Sequence, residues 1–189
     1  MANPVFIVDN TLDTGFYINR LKALAQRYSN FSVAHQFVNA EPKISQFQRN
    51  VTESVNVCRE KFLQSDCDHM LIVESDVIPP ANLLTMFNED IVNLTKENWG
   101  IIGGKYYKGF HDFNLQGVQK INHVLSGCSL YNKDLLKRVK FRYLEEQLSA
   151  FPDAFMSHDA SGFGYTLWND YRISCDHLEA YPGNRGRLK

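Results

Sequence analysis

Apolar residues fall into two alternating patterns along the first hundred positions: short unbroken runs, and stripes that recur every three or four residues. Val5 to Val8 is solidly apolar and ends in Asp9-Asn10, which predicts a buried strand feeding a polar loop. Tyr17, Leu21, Leu24 and Tyr28 recur at helical spacing, while Phe31, Val33, His35 and Phe37 alternate with smaller or more polar neighbours, as in a strand. Ile44, Phe47, Val51, Val55, Cys58 and Phe62 then form one continuous stripe, the clearest helix in the chain. Met70 to Val73 is a second solid run, stopped by Pro79-Pro80. Leu83, Leu84, Phe87, Ile91 and Leu94 give another helix, and Trp99 to Ile102 a strand expected to turn sharply at Gly103-Gly104. Strand and helix therefore alternate, the order expected of a mostly parallel sheet flanked by helices.

The second half is less regular. Val118 to Tyr131 reads as one or two strands around Gly127, and Lys133 to Val139 and Tyr143 to Leu148 as helices. Tyr165 to Trp168 reads as the close of a short helix after Gly162 and Gly164, and Arg172 to Cys175 as a final strand. The tail from Tyr181 to Lys189, with Pro182, two glycines and three basic residues, reads as loose. No internal repeat or low-complexity segment interrupts this order.

A chain of 189 residues suits one domain, and 44% apolar residues suffice for a core. The formal net charge of −1 and the absence of a basic run leave no footprint for duplex nucleic acid, although a single bound nucleotide needs only a few local groups. None of Cys58, Cys67, Cys128 and Cys175 forms a CxxC pair, so these read as free thiols rather than a zinc or redox motif. The start Met1-Ala2-Asn3-Pro4 lacks the basic and apolar segments of a signal peptide, and no apolar run approaches the ~20 residues that span a bilayer. The glycosylation-type triplets at Asn50 and Asn93 read as chance, and the expected setting is a reducing cytoplasm, with no membrane span.

The segment HMLIVESDVIPP, His69 to Pro80, carries the most chemistry. Unpaired charges are costly in an apolar strand, yet Glu74 and Asp76 arrive two positions apart just as the run ends. An extended chain there would aim both carboxylates to one face, at the strand end where open α/β sheets bind ligands. Such a pair could hold a divalent cation and a ribose or phosphate; a solvated turn that happens to begin with acids explains the residues equally well.

This segment resembles the DxD-bearing strand of GT-A glycosyltransferases. Upstream, QRNVTESVNVCREKFLQSDCDHMLIVESD resembles the helix of family-2-like members that begins with an Arg-Asn pair, here Arg49-Asn50. GIIGGKYY (Gly100 to Tyr107) resembles their strand and loop beside the acceptor, and LSGCSLYNKDLLKRV (Leu125 to Val139) the floor of the catalytic cleft. MSHDASGFGYTLWNDYRISCDH (Met156 to His177) resembles the acid, helix, strand and histidine block that carries the catalytic base. The pattern covers most of Val5 to His177, and the short length is that of compact viral and archaeal transferases, which would place a viral version in the host cytoplasm. The resemblance departs from the family at Glu74, where many members have Asp.

The resemblance implies a single GT-A domain, with residues 1–104 binding a UDP- or GDP-linked sugar and 105–180 forming the acceptor and catalytic half, before the tail at 181–189. It implies Mn²⁺ or Mg²⁺ held by Asp76, with Glu74 on the ribose or a metal-bound water and His177 as a third ligand. Asp9, Asn10, Thr11 and Arg49 would face the nucleotide, and Lys105 and Tyr106 the acceptor, a hydroxyl of a glycan, protein or lipid. Asp159 matches the general base that takes the acceptor's proton, with Asp153 as its rival, and a base so placed implies inversion at the anomeric carbon. Asp159 could equally cap a following helix. Two other classes stay open: an idle GT-A-like domain that binds nucleotide or glycan, and a binuclear hydrolase suggested by the His-Asp neighbours at 68–69, 111–112, 158–159 and 176–177.

Overall fold

The computed structural model describes residues 3–9, 31–37, 44–74, 77–106, 115–144 and 151–177, with backbone alone at 3–9, 31–37, 44–47, 106 and 177. The elements are β1 (Asn3–Asp9), β2 (Phe31–Phe37), α1 (Ile44–Leu63), β3 (His69–Val73), β4 (Val77–Ile78), α2 (Leu83–Asn93), β5 (Trp99–Tyr106), β6 (Val118–Ile121), β7 (Cys128–Asn132), α3 (Lys133–Arg138), α4 (Pro152–Gly162) and β8 (Thr166–His177). Apart from the Tyr17–Tyr28 stripe, the apolar runs and stripes of the first hundred residues thus become the expected elements. The helix expected over Tyr17 to Tyr28, most of that over Tyr143 to Leu148, and the tail lie outside the described residues.

β1 and β2 pair in parallel, and α1 lies against β1. The larger sheet runs β3-β7-β5-β8-β4, with β6 also on β8. Only β5 and β8 are parallel there; β7 runs against both β3 and β5, and β4 and β6 run against β8. The sheet is therefore mixed, where the sequence suggested a mostly parallel one. The reason is physical: an unbroken apolar run reports that both faces of a strand are covered, not which way its neighbours point.

Both faces are indeed covered. Neighbouring residues of β5 divide between two cores, Ile101 with Phe62, Leu135, Leu136 and Met156 on one face, and Ile102 with Leu83, Phe87 and Ile173 on the other. Helices α1, α3 and α4 thus cover one face and α2 the other. Side chains lock the first group together: Arg59 on α1 donates to the carbonyls of Leu136 and Val139 at the end of α3, at 2.7 and 3.0 Å. Asn132 caps α3, its Oδ1 accepting the Asp134 N–H at 2.8 Å.

Two expectations about glycine fail. β5 does not turn at Gly103-Gly104; it continues to Tyr106, with a register shift after Gly104. Those glycines answer crowding: a Cβ on Gly103 would lie 2.6 Å from Val124 Cγ1, and one on Gly104 2.6 Å from Ile173 Cγ2. In the last third, the helix ends at Gly162, and the residues after Gly164 form a strand rather than a helix. Gly164, with φ of +80°, is the left-handed residue that lets the chain leave α4, and Thr166 already belongs to β8. All four cysteines are free, Cys128 and Cys175 being buried and Cys58 and Cys67 half-buried. Among the described residues, no helix is long and apolar enough to cross a membrane.

Candidate functional site

Strand directions decide which residues can meet. β3, β5 and β8 run one way and β7 and β4 the other, so Val73, Tyr106 and His177 end at the same sheet edge where Cys128 and Val77 begin. The register makes this specific: Val73 lies opposite Cys128, and Val77 opposite His177. Carboxyl ends of strands are the edge where open α/β sheets take their ligands.

Glu74 is the first residue past β3. Its N–H donates to the Gly127 carbonyl at 2.9 Å, and its own carbonyl accepts the Val77 N–H at 3.1 Å. Its carboxylate Oε1 accepts the Ser126 hydroxyl at 2.5 Å. Ser126 also donates its backbone N–H, at 3.3 Å, to Oδ2 of Asp153. Asp153 stands in the first turn of α4, directly after Pro152, whose fixed φ and missing N–H suit a helix start. The other Asp153 oxygen accepts the Ala154 N–H at 2.8 Å, and His123 Nε2 lies 4.0 Å from Oδ2. Segment 122–127 is pinned to α4 through Ser157, whose Oγ accepts the Val124 N–H at 3.0 Å. Glu74, His123, Ser126 and Asp153 are thus gathered at one place.

Asp159 is elsewhere and otherwise engaged. It sits six residues beyond Asp153, a rise of ~9 Å along α4, on the half of the helix that leads away towards the start of β8. Arg142 clasps it with two bonds, Nε to Oδ2 at 2.7 Å and Nη2 to Oδ1 at 2.9 Å, and His158 Nδ1 lies 3.2 Å from Oδ1. The hydrogen bonds from Arg142 hold its carboxyl below the usual range, which opposes the role of proton acceptor expected for it. Nor does it cap a following helix, since it lies inside α4.

The remaining expected residues divide as follows. Arg49 is exposed on α1 and donates to Glu53 at 2.8 Å. Asp9 closes β1 in register with Phe37, but its side chain, together with Asn10, Thr11 and Asp76, lies outside the described residues. Lys105 is half-buried near the end of β5, at the candidate edge. His177 ends β8 in register with Val77, the residue that follows Asp76 in sequence, although the two are a hundred residues apart. Among the described residues, no three His, Cys, Asp or Glu side chains stand close enough together to hold a metal ion; Asp76 and the His177 side chain are outside that set.

Of the His-Asp neighbours, the pairs at 68–69 and 158–159 stand apart from the gathered group, while 111–112 and the His177 side chain lie outside the described residues. His69 begins β3 at the opposite sheet edge and stacks on Trp99 with ring centroids 5.3 Å apart, while His158 is exposed on α4. A polar hollow lined by Asn98, Asn132, Asp134, Lys137, Arg138 and Tyr165 also opens at that opposite edge. Two members of the gathered group escaped the sequence reading. Nothing in the pattern marks His123, and Ser126 was one small residue in a segment of several; the signal that was available is Pro152, which marks the start of α4 and hence the place of Asp153.

No family model matches the chain, and no curated protein matches it in sequence. Among solved structures, A197 from STIV superposes with a TM-score of 0.56 at 12% identity, over 94% of this chain and 86% of that one. The two share a fold. A glycosyltransferase involved in the glycosylation of the major capsid of PBCV-1 gives a TM-score of 0.42 at 15% identity, over 72% of this chain and 62% of that one. The nucleoside-diphosphate-sugar pyrophosphorylase from Vibrio cholerae RC9 gives 0.46 at 11% identity, over 91% and 73%. Likeness at the level of these last two fixes neither fold nor chemistry.

Proposed function

We propose that the chain is a metal-dependent glycosyltransferase of the GT-A type, moving a sugar from a UDP- or GDP-linked donor to a hydroxyl of a glycan, protein or lipid. One observation carries the reading: at the carboxyl edge of the sheet, the acid that follows β3 and an acid in the first turn of α4 are joined through a single serine. Glu74 and Asp76 face the donor, with Asp76 and His177 as ligands of Mn²⁺ or Mg²⁺. A divalent cation bound there neutralises the charge that grows on the departing diphosphate. The nucleotide's base and ribose lie over Asp9, Asn10 and Thr11, with Arg49 at the rim.

Asp153 takes the role of general base that the sequence pattern gave to Asp159. A base must lie within hydrogen-bond reach of the acceptor hydroxyl, on the side of the sugar away from the leaving group. Asp153 shares a partner with the donor-side acid, whereas Asp159 is neutralised by Arg142. With Asp153 removing the acceptor's proton as the hydroxyl attacks, displacement inverts the anomeric carbon.

The test is a panel of UDP- and GDP-sugars with Mn²⁺ or Mg²⁺, read as release of nucleoside diphosphate with water or added glycans as acceptor. The expected result is release from at least one donor that EDTA abolishes and that Asp153→Asn lowers by about 100-fold or more while nucleotide binding persists. Absence of release from every donor, or release indifferent to metal, contradicts the proposal. The burial of the Asp153 side chain, 8% exposed, favours the alternative of a domain that binds nucleotide without turnover. Metal-dependent nucleotide binding with no release throughout the panel would select that alternative.

A further inference from the structure

Two carboxylates brought to one end of a sheet repel each other, and each needs donors to stay in place. Here one residue supplies both. The Ser126 hydroxyl donates to Glu74 at 2.5 Å and its N–H donates to Asp153 at 3.3 Å. The two acids belong to different elements, the end of β3 and the first turn of α4, and are far apart in sequence. Both ends of this link are anchored again by main chain and side chain. Gly127, the next residue, accepts the Glu74 N–H at 2.9 Å, so Glu74 is held to segment 122–127 at two points. Ser157 holds Val124 of the same segment to α4, one turn beyond Asp153.

We infer that Ser126 is a positioning residue that sets the separation between the donor-side carboxylate Glu74 and the acceptor-side carboxylate Asp153. The inference rests on the glycosyltransferase reading and adds to it a residue that need touch neither substrate. Its chemistry is restrictive. Alanine keeps the N–H to Asp153 but loses the donor to Glu74, threonine keeps both, and an acidic residue would add a third negative charge. In a displacement, misplacing one reacting group by about 1 Å costs on the order of 100-fold. Loosening the Glu74 carboxylate therefore acts on the aligned complex, and so on kcat, as well as on donor binding.

The experiment compares Ser126→Ala, Ser126→Thr and Ser126→Cys with the parent, using whichever UDP- or GDP-sugar of the panel the parent turns over with Mn²⁺. Ser126→Cys, close to serine in volume with only a weak S–H donor, provides a second test without the hydroxyl should the alanine variant fold poorly. Expected are a fall in kcat of about 10- to 100-fold for the alanine and cysteine variants per folded molecule, a raised donor KM, and recovery to within about threefold in Ser126→Thr. Parental kcat in both hydroxyl-free variants overturns the inference while leaving the transferase reading intact, and so does a threonine variant as impaired as alanine. A parent that releases nucleoside diphosphate from no donor overturns the reading itself, and the inference with it.

Discussion

Asp153 and Asp159 are chemically identical side chains on one short helix with different neighbours. Asp159 spends its lone pairs on a guanidinium, and its carboxyl is held below the ordinary range first by the Arg142 hydrogen bonds. A depressed carboxyl stabilises the folded chain above the unfolded pKa of about 4, and that contribution is lost as pH falls through the folded value. Asp159→Asn should therefore flatten the acid limb of a melting-temperature profile below about pH 4 and cost about 0.5–1 kcal/mol at pH 7, since Arg142 is 42% exposed. Its sugar transfer should stay near parental, whereas Asp153→Asn should lose it; the reverse pattern would restore Asp159 as the base. Both aspartates were visible in sequence as candidates. The Arg142 pairing that distinguishes Asp159 was not visible, because Arg142 lies 17 residues before it and carries no motif.

Elements were legible where a single packing cause shapes the pattern. The stripe from Ile44 to Phe62 became α1 and the solid run at Met70 became β3, because one buried face or two buried faces write those patterns directly. Glycine was misread because its cause lies in other segments of the chain. Gly103 is needed where Val124 and Asn169 press on β5, so Gly103→Ala should cost about 1–3 kcal/mol in denaturant unfolding; a cost within a few tenths would refute the crowding. A second link between elements predicts a pH effect. Asp90 on α2 and Asp170 on β8 are both fully buried beneath Arg172, which donates to Asp90 at 2.7 Å and to Asp170 at 2.8 Å. Burial, and then the charge of Asp170, push the Asp90 carboxyl up to about 7. An acid raised on folding binds its proton more tightly in the native state, so its contribution to stability declines as pH rises from about 4 to 7 and levels off above. Asp90→Asn should remove that decline, with the largest gain relative to the parent at pH 8; an unchanged slope would show that Asp90 ionises as freely in the fold as outside it.

At the scale of the whole molecule, the decisive fact is the direction of β7. Running against β3 and β5, it brings Ser126 and Gly127 to the edge where β3 ends, and β4 in turn sets Val77 opposite His177. Strand order and direction are long-range properties that a local pattern does not encode, so the sequence supplied the pieces of the site without their assembly. The proposed function makes the segment after β3 the seat of a divalent ion and a nucleoside diphosphate. Its most direct test is the melting temperature of the parent and of Asp76→Asn with UDP or GDP, each with and without Mn²⁺. Ligand at about 100 times its Kd stabilises by about 2.7 kcal/mol, enough to move the midpoint by several degrees. The predicted result is a rise with at least one nucleotide in the parent, present only with Mn²⁺ and absent in Asp76→Asn; no rise, or an equal rise in the variant or without metal, would contradict it.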